Sequence, residues 1–341
     1  MPPRKVAVEM DPLTQGAVGA VLPQALSRTR SLLWATLCGF LSGLAPDLDV
    51  LISSETDPLL FLEYHRQFSH SLLFIPIGAS LCALLLHFAV GRWKKYAFSL
   101  TWLFCFLGYS THALLDACTT YGTVLLWPFS QARFAWNVIS IIDPLFTLPI
   151  VVLLCLAVFK RNRKFSKLGV LWALSYLLAG LWQHDRAVNL GWHLAEQRGH
   201  NPITLDAKPS FANILVWKIV YEEKGRFYVD AVRVGYRSRV YEGESILKLD
   251  LNRDFPWLDD DSRQANDIER FRWFSRDHLA KDPDFPNRIV DIRYSLVPNQ
   301  INSMWSIELS KADPERHVSF ITHRSSIAKS GRLLWDMIFL K

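Results

Sequence analysis

Apolar residues are unevenly spread along this chain. Five runs, at about 32–52, 70–91, 97–117, 141–159 and 167–183, approach the roughly 20 apolar residues that a membrane-spanning helix needs. Proline, glycine and a few polar residues interrupt them, which membrane helices tolerate when neighbours satisfy the backbone. A shorter apolar stretch, Gly16 to Leu26, comes first. It is too short to span and reads as a short helix that is re-entrant or lies at the interface. After residue 183 the pattern changes. Ile214–Tyr221, Arg226–Val234, Arg288–Leu296 and Met304–Leu309 carry the β-branched and aromatic enrichment of strands. Ser262–Leu279 and Ser330–Leu340 read as helices. The expected fold is an α-helical multi-pass membrane domain over 1–183, with about five transmembrane helices plus a short N-terminal helix. A soluble α+β domain over 184–341 follows.

Charge sharpens this division. Residues 1–183 carry 14 basic and 9 acidic residues, whereas 184–341 carry 24 and 23. The net charge of +6 therefore divides as +5 and +1, and the excess lies in short loops between apolar runs. That is a topology signal, and no nucleic-acid partner is expected. Arg28 and Arg30 precede the first run, Arg92, Lys94 and Lys95 follow the second, and Lys160 to Lys167 follow the fourth, while the other two loops hold only Arg66 and Arg133. The positive-inside rule puts the basic loops in the cytoplasm and the C-terminal domain outside. The start, MPPRKVAVEMDPLTQ, lacks the regions of a signal peptide, so the first span is expected to direct insertion and stay in place. Cys38, Cys82, Cys105, Cys118 and Cys155 all lie in or beside apolar runs without a CxxC, which argues against a disulfide framework or a Cys-based zinc site.

Ionisable residues in so apolar a region are candidates for function. Asp47 and Asp49 end the first run in Pro-Asp-Leu-Asp. His65, Arg66, Ser69, His70 and Ser71 open the second, His112 and Asp116 close the third, and Asp143 opens the fourth. Alternation of the spans puts all these sets on one side of the membrane, whichever way the protein is inserted. His112 and Asp116, four apart, face one way on a helix. Imidazole and carboxylate ligands suit Zn, Mn or Fe-type ions, and a set this large could hold one ion or two with a bridging carboxylate. Asp49 is then a candidate general base, and Arg66 a partner for a phosphate or oxyanion. Each piece also has a structural reading. HxxxD is often an interhelical hydrogen-bond pair, and Asp143 before Pro144 looks like an N-cap or a support for the site. Ser69 and Ser71 read as helix-start residues, His87 as a structural histidine, and His184 and Asp185 as interfacial. His193, His200, His278, His317 and His323 carry no assigned role.

Together, MDPLTQGAVGA, LAPDLDV, YHRQFSHSLL and HALLDACTTYGTVLLWPF resemble the YdjM-type family of membrane-bound, metal-dependent hydrolases, over residues 10–147. Phe-Arg-Trp-Phe-Ser (271–275) and Asp-Ile-Arg-Tyr (291–294) resemble the longer branch of that family. The resemblance implies an integral inner-membrane protein whose motif positions fall on Asp47, Asp49, His65, His70, His112 and Asp116. Many members have Thr-His where this chain has Thr14-Gln15, a weaker ligand. The leading expectation is a metal-dependent hydrolase at the outer membrane–water boundary, acting on a phosphoester or other ester of a lipid or amphipathic substrate. The rivals are an ion- or proton-coupled transporter and a non-catalytic anchor presenting a soluble domain. Membrane lipids are the expected surroundings, and the oligomeric state stays open.

Overall fold

The computed structural model describes residues 11–323 and 327–339. The readings placed on residues 1–10, and on Leu340 at the end of the last predicted helix, lie outside the described residues.

Helix α1 (Pro12–Leu26) starts on Asp11, whose carboxylate accepts from Leu13 N, with Pro12 at the first helical position. It turns back into α2 (Leu32–Leu44). The two form an antiparallel hairpin that meets through Gly19, Gly39 and Gly43. A Cβ on Gly39 would run into the Gly19 carbonyl and the Ala20 backbone. Small residues permit such backbone contact in membrane bundles. The first apolar stretch is therefore not a surface-lying helix: Thr14, Gln15, Gly19, Ala20 and Gln24 are all buried, and α1 packs within the bundle against α2, α5, α6 and α7.

A 3-10 turn (Ala45–Leu51) and the short helix α3 (Leu60–Tyr64) lead to a second 3-10 turn (Phe68–His70) and then α4 (Ile75–Leu86). The segments Leu60–His70 and Ile75–Gly91 meet at 83°. Helix α5 (Phe98–Ala117) follows, then α6 (Pro144–Phe159) and α7 (Lys164–Gln197). Among the described residues, Thr29–Leu51, Phe98–Ala117 and Lys164–Gln197 are long and apolar enough to cross a membrane, and the bent pair makes four if it counts as one span. The expected span over 141–159 is the shorter helix α6, 16 residues long. Asp143 caps it as anticipated, accepting from Leu145 N and Phe146 N, and Tyr176 Oη donates to the same carboxylate at 2.8 Å. Helix α7 has 34 residues, about 50 Å at the helical rise. It runs through residue 183 without a break, and its Gly191 face packs on Leu205 and Ile219.

The remainder holds two antiparallel four-stranded sheets. The first contains β1 (Leu205–Pro209), β2 (Val216–Glu223), β3 (Arg226–Val234) and β4 (Ser238–Leu247), paired in that order. Helices α8 (Leu251–Asp254) and α9 (Arg263–Ser275) separate it from β5 (Leu279–Lys281), β6 (Arg288–Asp291), β7 (Trp305–Glu308) and β8 (Ser319–Thr322), again in sequence order; α10 (Ile327–Phe339) closes the chain. Ser262 caps α9 as expected, but the helix ends before Leu279 because Arg276 and Asp277 take φ of 53° and 61°. The two regions share a core. Leu59, Leu62 and Tyr121, from the helical part, are buried with Ile268, Phe271 and Trp305. Arg270 of α9 also pairs with Asp57 at 2.8 Å and with Glu63. The loops at one end of the bundle are thus built into the C-terminal part.

Candidate metal centre

That end of the bundle gathers the predicted ionisable residues. The 3-10 turn after α2 presents Asp47 and Asp49, the bend before α4 presents His65 to His70, and the last turns of α5 present His112 and Asp116. Hydrogen bonds fix which atoms face inward. His112 Nδ1 lies 2.6 Å from the Gly43 carbonyl, which can only accept, so Nδ1 carries the proton and Nε2 offers a lone pair. Ser69 Oγ donates to Asp49 Oδ2 at 2.6 Å and has no second proton. His70 Nδ1, 2.9 Å from the same oxygen, must therefore be the donor there. Its Nε2 also offers a lone pair, 2.9 Å from that of His112.

Two carboxylate oxygens meet these nitrogens. Asp47 Oδ1 is 3.2 Å from His112 Nε2 and 3.5 Å from His70 Nε2. Asp116 Oδ2 is 3.3 Å and 3.8 Å from His70 and His112 Nε2. All four ligand atoms lie within 4.8 Å of one another. Neither oxygen of Asp47, nor Oδ2 of Asp116, has a hydrogen-bond partner, although each is buried. Two carboxylate oxygens and two imidazole nitrogens packed so closely need positive charge among them, from a bound cation or from protons on the imidazoles, beyond what Arg66 supplies to Asp116. In a tetrahedral site with bonds near 2.0–2.1 Å, ligand atoms lie about 3.3 Å apart, and the separations among these atoms run from 2.9 to 3.8 Å where they involve a histidine nitrogen. The donor set could hold a metal ion.

Asp49 and His65, expected as ligands with the others, stand outside this group. Asp49 Oδ1 meets His65 Nδ1 at 2.7 Å, while Oδ2 accepts from Ser69 and from Arg66 N at 3.1 Å. Its oxygens are thus engaged with His65, Ser69 and the Arg66 main chain. His65 Nε2 has no partner. Arg66, expected to await an anionic substrate, is 1% exposed. Its Nε lies 3.0 Å from Asp116 Oδ2 and its Nη1 donates to Thr119 at 3.2 Å. Gln15 Nε2 donates to Asp116 Oδ1 at 2.7 Å, so it holds a candidate ligand from behind.

Sequence reasoning overlooked several supports. Ser69 links Asp49 to His70 and has a signal only in its place within the motif. Tyr109 Oη donates to the Ser69 carbonyl at 2.9 Å. Arg133 is buried and donates to the carbonyls of Leu62 and His65 at 3.2 and 3.0 Å, with its guanidinium over Trp273. Its signal was being a lone cation in an otherwise uncharged loop.

A helical membrane region with a buried Asp-His-His-Asp cluster at one end, joined to a β-rich C-terminal part, defines the class. Within it, the sequence profile of the YdjM inner membrane protein family matches residues 10–187, and the chain belongs to that family. It is also similar to the inner membrane protein YbcI of Escherichia coli (strain K12), 35% identical over 107 residues. That match covers 30% of this chain and 60% of the relative, so the chain spans somewhat under two thirds of the curated relative's length. No solved structure matches.

Proposed function

We propose that this protein is a metal-dependent hydrolase of the inner membrane. The observation that carries the reading is the convergence of Asp47, His70, His112 and Asp116 on one point, with both imidazole tautomers set to offer Nε2. A divalent ion of the Zn, Mn or Fe type held there would acidify a water and polarise a phosphoester or other ester. His65, held through Nδ1 by Asp49, has its Nε2 free to take the proton of an attacking water. Arg66 balances the charge of Asp116, with its Nε 3.0 Å from the same Oδ2 that faces the two histidines.

Location supports a lipid or amphipathic substrate. Asp47 is the cluster member that is not fully buried, exposed Leu48 and Leu51 follow it in sequence, and exposed Leu72 and Leu73 follow His70, so an ester with an apolar tail meets apolar neighbours there. The exposed lysines and arginines follow the far ends of the helices, at Arg28, Arg92, Lys94 and Lys160. They support an extracytoplasmic site and C-terminal part.

The test is elemental analysis of detergent-purified protein, followed by phosphoester-lipid hydrolysis before and after chelation. The expected result is a stoichiometric divalent metal and hydrolysis that chelation abolishes and metal restores. Protein that binds no metal above background, or hydrolyses indifferently to chelation, overturns the reading.

A further inference from the structure

A second site lies between the two sheets and the loops that leave α5 and enter α6. It is a cavity of about 220 Å³, and no residue of the metal cluster lines it. Its floor is a pair of lysines. Lys208 of β1 and Lys218 of β2 are directly opposed in the antiparallel register, so they share one face of the sheet. Both are almost completely buried, at 2% and 3% exposure. Like charges placed opposite one another under cover are costly, and only one has a counter-ion. Lys208 Nζ pairs with Asp206 at 3.0 Å. Lys218 Nζ donates to Ser295 Oγ and to the Gln300 carbonyl, at 2.8 and 2.9 Å, both uncharged. Two of its three protons are thereby used, leaving one donor and no direct ion-pair partner, with Asp291 and Glu244 acting on it only from a distance.

Much of the remaining wall is apolar and aromatic, with Tyr121, Ile141, Tyr294, Met304 and Trp305, alongside polar groups that include His323 and Arg293, the latter paired with Asp291 at 2.6 Å. Two further lining residues, Ile142 and Phe211, are 39% and 49% exposed, and Leu145 in the first turn of α6 is 60% exposed. The cavity's rim is thus continuous with the apolar face of a helix in the membrane region. Burial pushes the Lys218 ammonium down to about 7, with Lys208 acting in the same direction and Asp291 and Glu244 against it. An anion beside it would reverse that shift.

We propose that this cavity is a binding site for a phosphate group carried on an apolar tail, with Lys218 and Lys208 holding the head and the aromatic wall holding the start of the chain. A cation without a counter-ion, a neighbouring cation and an apolar passage toward the bilayer are what such a ligand would complement. The site stands apart from the metal cluster. The two share one wall, because the Tyr121 ring lies 4.6 Å from that of Tyr294 inside the cavity and 5.6 Å from the Arg66 guanidinium on its other side.

The experiment titrates full-length protein in detergent with phosphatidic acid, with phosphatidylcholine of the same chains, and with inorganic phosphate. Phosphatidic acid should bind, and Lys218→Met should weaken it about 10–100-fold, the worth of a charged hydrogen bond. Lys218→Arg should retain most of the affinity, and Lys208→Met should weaken it independently. Inorganic phosphate that binds as tightly and displaces the lipid would identify the ligand as a free phosphate taken by the same head-group site. Equal binding of phosphatidylcholine, or binding unchanged in both lysine-to-methionine variants, overturns the proposal. The head-group comparison uses the wild-type chain alone and does not depend on any variant folding.

Discussion

His112 is tied to Gly43 by a 2.6 Å hydrogen bond from ring Nδ1 to a main-chain carbonyl, at the point where α2 gives way to the turn carrying Asp47. The same contact sets the tautomer and registers α5 against α2, so the ligand nitrogen and the ligand carboxylate are positioned by one interaction. His112→Ala should therefore cost more than a single ligand. Metal affinity is expected to fall by more than the roughly 10–100-fold that loss of a supporting group causes. Asp116→Ala should behave alike. Stoichiometric metal retained in both variants, by elemental analysis, would remove the site.

Asp49 and His65 separate the inner four residues from the outer two. Asp49→Asn keeps the shape but weakens the bonds that orient His65, Ser69 and His70. Metal affinity should drop about 10–100-fold with the fold intact. His65→Ala should leave metal content unchanged while hydrolysis falls about 100-fold or more, the usual contribution of a positioned proton acceptor. Metal loss in His65→Ala would instead return His65 to the ligand set.

The α1–α2 hairpin makes a prediction about assembly. Gly39 meets Gly19 backbone to backbone, leaving no room for a Cβ. Gly39→Ala must push α1 away from α2, and α1 carries Gln15 to Asp116. The variant should lose thermal stability and, with it, metal affinity, read by melting temperature and metal content on the same preparation. A neutral Gly39→Ala would mean that the helices tolerate separation.

Much of this site is legible in the sequence because charge is scarce in the first 183 residues. Asp47, His70, His112 and Asp116 stand out against apolar surroundings, and the alternation of apolar runs alone is enough to put them on one side of the membrane. Division of labour within the set is not legible. Asp47 and Asp49 are two residues apart and alike in type, yet a 3-10 turn aims one at the cluster and buries the other behind it. Arg133 is visible in the sequence only as a sparse loop cation, and Arg66 reads there as a partner for an anionic substrate. Their work, holding Asp116 and the carbonyls around His65, depends on contacts across 50 or more residues. The same holds for strands. β3 has the predicted bounds, whereas β4 is a largely exposed polar strand held by pairing with β3, and pairing leaves little trace in its own residues. Helix α1 is read as a short helix from the sequence, but its central place is not legible, because a run of Gly and Ala looks weakly hydrophobic although small side chains are what admit it to the centre.

Lys218 gives a prediction in which pH supplies the sign. Its ammonium is fully enclosed and titrates near 7 in the folded protein, against about 10.4 in an unfolded chain. After burial itself, Asp291 and Glu244 act on it most, favouring the charged form, and Lys208, opposite it across the strand pair, acts against that form. Between pH 7 and 10 the unfolded state binds the extra proton, so stability attributable to this residue rises with pH. Below pH 7 both states are protonated and the cost of burying the charge is felt in full. Lys218→Met removes that cost while filling similar space. Without added anion, its melting temperature should exceed that of the wild type at pH 6–7, and the difference should shrink steadily toward pH 10. Saturating phosphatidic acid should narrow the gap at pH 7 by stabilising the wild type alone. A Lys218→Met protein less stable than wild type at pH 7 in the absence of anion would show that Ser295 and Gln300 already compensate the charge.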